Sequence, residues 1–192
     1  MNLNDMPHKV SDKFALGYVD TFYNDLLVPR KESATKVLEI GIWNGDSICL
    51  WRDFFSNATV YGMDISPPPG NPALYDENSR IKLITQTNAY CESSVDMVKE
   101  LEPEGFDVII DDGPHTFETM SYFLQHYLPM VKPGGVVVLE DIIDLNWTPK
   151  FLELIDSNVW NAVVHDMRGK QKNEELLNRW SNGLDVITVQ KK

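Results

Sequence analysis

Two short stretches put acidic residues at the ends of apolar runs: "FDVIIDDGPH", Phe106 to His115, and "GGVVVLED", Gly134 to Asp141. Adjacent carboxylates repel, and each disfavours ionisation of the other unless a cation, hydrogen-bond donors or a proton stabilises the pair. If the two runs are neighbouring parallel strands, about 4.8 Å apart, then Asp111, Asp112, Glu140 and Asp141 converge at one end of the sheet with His115 beside them. No Lys or Arg is near them in the sequence, so the grouping reads as a hard oxygen site. Mg²⁺ suits it, keeping some waters and accepting substrate oxygens in place of others. A plainer role, capping of the next helix by Asp112 and His115, needs one acceptor and leaves the second acidic pair unexplained.

The elements that must position these groups appear as apolar segments. Residues 36–40, 58–64, 81–85, 106–111, 134–140, 161–167 and 184–189 are rich in Val and Ile, and several are continuous apolar runs, the pattern of strands buried on both faces of a parallel sheet. Helical patterns at 47–55, 92–101 and 116–131 lie between them; the last carries Phe117, Met120, Leu124, Tyr127, Leu128 and Val131 on one face. This alternation predicts right-handed crossovers and a doubly wound α/β sheet with helices on both faces. The charged stretch between Asp166 and Gly183 has room for one short helix, which makes the last two strands antiparallel neighbours. Ahead of the sheet, Phe14, Tyr18, Phe22 and Leu26 form a helical stripe over Val10–Leu27, with Ser11 and Asp12 as caps. "SPPPGNP", 66–72, reads as a rigid surface loop.

The first strand runs into "EIGIWNG", where Gly41 and Gly45 permit a tight turn and the close approach of a ligand to the backbone. A helix follows, and its N-terminus offers free N–H groups. The second strand ends at Asp64, about 20 residues on, where doubly wound nucleotide-binding folds place the carboxylate that holds the ribose hydroxyls.

The spacing Glu-x-Gly-x-x-x-Gly, Glu39 to Gly45, differs from the Gly-x-Gly-x-x-Gly of dinucleotide enzymes and is similar to the first motif of class I S-adenosylmethionine-dependent methyltransferases. "SDKFALGYVDTFYNDLL", "VLEIGIWNGDSICLWRDFF", "ATVYGMDI", "IDDGPH", "GGVVVLED" and the closing "HDMR" and "LDVITV" come in the order and approximate spacing of the macrocin O-methyltransferase group, metal-dependent enzymes that methylate sugar hydroxyls. The resemblance implies a Rossmann-like sheet of seven strands, mostly parallel with the last antiparallel, in one domain spanning 1–192. It implies S-adenosylmethionine held by Glu39, Gly41, Gly45, Asp64, Asn88 and Asp111, Mg²⁺ on Asp112 and Asp141, and His115 as the base. Pro114 stands where that group has serine, and Asn88 stands where such enzymes commonly have an acidic residue beside the adenine. Gln86 is the alternative register for that contact, since either amide can hydrogen-bond a base edge. Residues 1–30 are a candidate lid, with Lys13 and Tyr18 over the methionine end of the cofactor, although a helix-face Lys and a core Tyr also have ordinary explanations.

Other polar candidates carry weaker signals. His126 reads as a surface or packing histidine, His165 and Asp166 close the sixth strand, Trp43 can wall the cofactor pocket and Trp147 the acceptor side.

The 192 residues fit one domain with a sizeable core. A net charge of −12, from 17 basic and 29 acidic residues, argues against gripping phosphate backbones and so against a nucleic-acid partner. Cys49 and Cys91 are the two cysteines, both in helical patterns, and read as reduced thiols. With no secretory signal and no apolar run of about 18 residues, the expected location is the cytoplasm, with no membrane partner. The expected partner is a small-molecule hydroxyl acceptor, a sugar or other small polyol; the pattern leaves a homo-oligomer open. Transfer to nitrogen or another acceptor, a non-catalytic cofactor-binding subunit and a nicotinamide dehydrogenase are the competing readings, and the glycine spacing disfavours the last.

Overall fold

The computed structural model describes residues 2–6, 11–67, 70–75, 80–179 and 184–192. Val10, Pro68, Pro69 and Gly183, which figure in the sequence expectations, lie outside them. Seven strands form one sheet: β1 (Lys36–Ile40), β2 (Thr59–Met63), β3 (Ile81–Ile84), β4 (Phe106–Asp111), β5 (Val131–Ile142), β6 (Trp160–Asp166) and β7 (Asp185–Lys191). Their order is β3-β2-β1-β4-β5-β7-β6. The pairs among β1 to β5 are parallel, and β7 runs antiparallel to both β5 and β6, as expected from the short connection before it. Strand order reverses direction between β1 and β4, the place where doubly wound sheets open a ligand crevice.

The helices are α1 (Asp12–Ala15), α2 (Asn24–Leu27), α3 (Asp46–Phe54), α4 (Glu92–Leu101), α5 (Phe117–Tyr127), α6 (Thr148–Glu153) and α7 (Glu174–Arg179). The N-terminal stripe is not one helix. Gly17, at φ +81°, breaks it where its backbone packs against Lys170, and an added Cβ would lie 2.3 Å from that carbonyl oxygen. The chain resumes as a wide π-type turn, Val19–Tyr23, before α2. Phe14, Tyr18 and Phe22 are still buried, because the wide turn compensates for the break.

Alternate strand residues enter two cores. Val37, Val108, Ile110, Val136 and Val138 pack with α3 and the N-terminal segment, while Leu38, Ile109, Val137 and Leu139 pack with α4 and α5. The register decides which residues meet at the strand ends. Ile40 pairs with Asp111 and Asp111 with Leu139, so Gly41, Asp112 and Glu140 are the next residues on three adjacent strands. By the period-two alternation of side chains, Glu39, Asp112 and Glu140 continue the first face, towards the N-terminal segment, and Asp111 continues the second.

Candidate active site

A pocket of about 270 Å³ opens at the C-terminal ends of β1, β2 and β4, lined in part by Gly41, Asp64, Asn88, Tyr90 and Asp112. Trp43 and Ile65, 80% and 69% exposed, stand at its rim. Asp64 is fixed by backbone: Oδ2 accepts from the N–H of Ile42 at 2.7 Å and of Trp43 at 3.2 Å, and Oδ1 from that of Ser66 at 2.7 Å. Burial opposes its charge, but these donors outweigh it and hold the carboxyl below its usual range. Asn88 turns its Oδ1 to the Tyr90 N–H at 3.0 Å. A narrow recess on the other side of the glycine turn is walled by Ser11 and Asp12 of the N-terminal segment, and Gly41, Trp43 and Asp112 belong to both spaces.

Gly41 makes this junction possible. It sits at φ +95°, and a Cβ there would lie 1.9 Å from the carbonyl oxygen of Asp112, so only glycine brings the two strand ends so close. Gly45, at φ +84°, starts α3 against Leu74 and is absent from the walls of both spaces. Among the described residues, the non-glycine positions with positive φ are Trp43, Gln86, His115 and Asp141. All four lie just beyond or near the C-terminal end of a strand, around the pocket and the acidic group. Such backbone costs of order 1 kcal/mol or more per residue and persists where the surroundings impose it, commonly at functional sites.

The acidic residues separate by face. Asp111, buried, accepts from the Tyr90 hydroxyl at 2.5 Å. Its burial lifts the carboxyl to about 8, against the opposing pull of that hydrogen bond. It is absent from the pocket wall and reaches the pocket through Tyr90. On the other face stands a cation that the sequence expectation did not include. Lys13, fully buried, donates from Nζ to Asp112 Oδ2 at 2.5 Å and to Glu140 Oε2 at 2.6 Å, and lies 3.5 Å from Glu39 Oε1. Burial opposes its charge most strongly, yet Asp112, Glu140, Glu39 and Asp12 outweigh it and hold the ammonium well above its ordinary pKa. The expectation of an acidic group with no basic neighbour is thus corrected. Lys13 is distant in sequence and arrives from α1, whose side of the sheet receives the three same-face carboxylates.

Two tyrosines of the same segment complete the network, Tyr18 donating to Asp141 Oδ1 and Tyr23 to Glu140 Oε1. Glu39 accepts from Ser47 at 2.8 Å and Trp51 at 3.1 Å through Oε2, and burial lifts its carboxyl to about 7. It therefore lies beneath the glycine turn and away from the pocket wall. Burial also lifts Asp112 to about 6, with Lys13 opposing and Asp141 adding to the rise.

Asp112 and Asp141 thus each have one oxygen committed to the N-terminal segment and one left over. The remaining oxygens face His115, whose Nε2 lies 3.5 Å from Asp112 Oδ1 and 3.9 Å from Asp141 Oδ2. Asp112, His115 and Asp141 each offer a ligand atom, all within 4.8 Å of one another. The two carboxylate oxygens are the hard donors that a divalent cation of the Mg²⁺ or Mn²⁺ kind takes, and the imidazole nitrogen stands beside them.

The remaining candidates lie elsewhere. His126 stacks on Tyr122 with centroids 4.0 Å apart, His165 stacks on Phe22 and its Nε2 lies 2.9 Å from Thr188 Oγ1, and Asp166 pairs with Arg168. Trp147 packs edge-on against Phe117. Cys49 and Cys91 are free thiols. Among the described residues no helix is long and apolar enough to cross a membrane. Sequence reasoning assigned no part to Tyr23 and Tyr90, and gave Lys13 none in the acidic group. The available signal was three polar-tipped side chains, Lys13, Tyr18 and Tyr23, within the segment that carries the apolar stripe.

A family model described as methyltransferase domain matches residues 38–142, more than half of the chain, from within β1 to the end of β5. The demethylmacrocin O-methyltransferase of Streptomyces fradiae is 30% identical over 124 residues, 61% of this chain and 30% of its own length. An 8-demethyl-8-alpha-L-rhamnosyl tetracenomycin-C 2'-O-methyltransferase of Streptomyces olivaceus is 26% identical over 160 residues, 80% of this chain and 40% of its own. The chain therefore spans well under half the length of these curated relatives. Among solved structures, the mycinamycin-pathway methyltransferase MycE in complex with Mg, SAH and mycinamycin VI superposes with a TM-score of 0.57 at 29% identity, covering 67% of this chain and 33% of that one. An O-methyltransferase from Bacillus cereus in complex with SAH shares the fold at a TM-score of 0.67 and 18% identity, over 98% of this chain and 85% of its own. With its sheet order, its glycine turn and this match through the fifth strand, the chain belongs to the methyltransferase domain family.

Proposed function

We propose that the protein transfers a methyl group from S-adenosylmethionine to a hydroxyl of a sugar or other small polar molecule, assisted by a divalent cation, Mg²⁺ foremost. The observation that carries this reading is the double membership of Asp112, which belongs both to the pocket wall and to the group with His115 and Asp141. A methyl donor in the pocket and a hydroxyl at that group are then brought next to each other. The named activities of the demethylmacrocin and rhamnosyl-tetracenomycin relatives, both O-methyltransferases and the second of a rhamnosyl-bearing molecule, support the acceptor class.

Gly41, Asp64 and Asn88 supply the donor pocket, with Ile65 and Trp43 as apolar rim and Asp111 acting through Tyr90. Asp112 and Asp141 hold the cation, while Lys13 and Tyr18 fix their other oxygens. A bound divalent cation lowers the pKa of an oxygen it coordinates. His115 Nε2, facing the same two carboxylates, takes the hydroxyl proton, a contribution of about 10²–10⁴-fold. The acceptor oxygen forms its bond to the methyl carbon as the carbon–sulfur bond breaks, leaving the thioether. Alignment of the two reactants supplies a larger share, up to roughly 7–11 kcal/mol in well-oriented cases.

Calorimetry with S-adenosylmethionine, with and without Mg²⁺, followed by a screen of hydroxylated sugars, tests the proposal. Donor binding and methyl transfer to a sugar hydroxyl, lost in EDTA and restored by Mg²⁺, are expected. Absence of donor binding ends the reading; transfer that EDTA leaves intact removes the cation alone.

A further inference from the structure

Lys13 has surroundings that its packing alone does not require. Its Nζ has carboxylate oxygens from four residues within 4 Å: Asp112 Oδ2 at 2.5 Å, Glu140 Oε2 at 2.6 Å, Glu39 Oε1 at 3.5 Å and Asp12 Oδ1 at 3.8 Å. Glu39 Oε1 is fully buried, has no hydrogen-bond partner and is aimed at this point. A shell of carboxylate oxygens around one positive charge, with no neutral acceptor needed, is the donor set of a hard divalent cation. An ammonium serves there at half the charge and with three donors of its own.

We infer that the Lys13 ammonium stands in the carboxylate cluster as a tethered substitute for a second metal ion, and so sets the number of divalent cations the site accepts. The inner position, bounded by Asp112, Glu140 and Glu39, is filled by the protein's own chain. The outer position, at Asp112 and Asp141 with His115 beside it, is the one left for an exchangeable ion. Asp112 divides between them, Oδ2 to the ammonium and Oδ1 towards His115 Nε2, which is the bridging arrangement of two-metal sites with their ions about 3.5–4 Å apart. Lys13 is then a positioning residue: it turns Asp112 outward and keeps Glu140 from the outer ion. The outer ion rests on the functional reading above, whereas the exchange of ammonium for metal at the inner position does not.

The probe is Mn²⁺ added to the metal-free full chain, with bound ion counted by electron paramagnetic resonance. Lys13→Ala, which removes both the charge and the side chain that fills the space, is expected to bind one Mn²⁺ more than the wild type. Where the wild type binds one, the two ions of the variant share Asp112 and give the broadened spectrum of a coupled pair. Lys13→Met fills the same space without charge and is expected to keep the wild-type count. A Lys13→Ala protein with the wild-type far-ultraviolet circular dichroism and the wild-type count overturns the inference, and so does a Lys13→Met protein that gains the ion. Should Lys13→Ala be unfolded in EDTA, refolding by excess Mn²⁺ with the extra ion bound supports the exchange; failure to refold at any Mn²⁺ concentration refutes it. A wild type that binds no Mn²⁺ refutes the outer-ion reading instead, and the variant must still bind one.

Discussion

Asp111 and Asp112 are consecutive in the chain and lie in two different electrostatic regions. The first points to the α4 and α5 side, where its partner is the neutral hydroxyl of Tyr90 and burial lifts its carboxyl to about 8. The second points to the N-terminal segment, where an ammonium at 2.5 Å offsets part of the same burial and leaves it at about 6. One pleat of the backbone separates them. A strand end entering a sheet crevice can thus deliver one carboxyl held as a neutral hydrogen-bonding group and one held as an anion. Which is which depends on the partner that each face of the sheet supplies, and the two carboxyls themselves are chemically the same.

If that division is right, substitutions on the Lys13 side should affect turnover far more than those on the Tyr90 side. His115→Ala is expected to lower kcat by about 10²–10⁴-fold, with donor affinity and Mn²⁺ affinity close to wild type. Initial rates and calorimetry check both, and a matching loss of Mn²⁺ affinity would make the imidazole a metal ligand and sink its assignment as base. Asp112→Asn comes next. It removes an anionic ligand and the closest partner of a buried ammonium, so Mn²⁺ binding should weaken by at least the roughly 10–100-fold that loss of an outer-sphere partner costs. The protein should also melt lower, since breaking a buried ion pair typically costs about 3–5 kcal/mol. Retained Mn²⁺ affinity in Asp112→Asn would move the cation away from this strand end.

The same contrast explains how much could be seen in the sequence. The strands announced themselves because parallel strands buried on both faces are continuous apolar runs, and β1 to β7 fall within a few residues of the expected segments. The opposite orientation of Asp111 and Asp112 was legible too, since alternation alone requires it. Even the same-face placement of Glu39, Asp112 and Glu140 was implicit in their positions two residues beyond Val37, Ile110 and Val138. What the sequence could not supply was the partner on each face. A lysine on an amphipathic helix ordinarily carries its charge to water, and Lys13 is buried only because three carboxylates from distant strands converge where α1 packs. Gly17 hid the matter further: it breaks the helix, so Lys13, Tyr18 and Tyr23 align through a break and a wide turn rather than at helical spacing. Tyr90 was silent for a similar reason, its role fixed by a contact with Asp111 across the sheet end.

The smallest effect on turnover is expected at Asp111, and its signature is pH dependence. In the unfolded chain an aspartate titrates at about 3.9, and in the folded protein Asp111 titrates at about 8. At pH values below both, the carboxyl is protonated in either state and the shift has no effect on stability. Between them the unfolded chain has released the proton and the folded one retains it, so the folded state binds more protons and stability falls as pH rises. Above about 8 both states are ionised and the penalty stays constant. Asp111→Asn keeps an acceptor for the Tyr90 hydroxyl and has no proton to release, so it escapes this loss. Glu39, Asp112 and Glu140 are also lifted by burial and make wild type and variant alike less stable as pH rises, so the informative quantity is the difference between the two melting temperatures. Measured by circular dichroism from about pH 5 to about pH 9, that difference should widen in favour of Asp111→Asn and level off above pH 8, with donor affinity and initial rate near wild type. A difference that stays flat means that Asp111 is already ionised in the fold at neutral pH. The two carboxylates would then form one anionic site, and the cation side would extend through the pleat to the face of Tyr90.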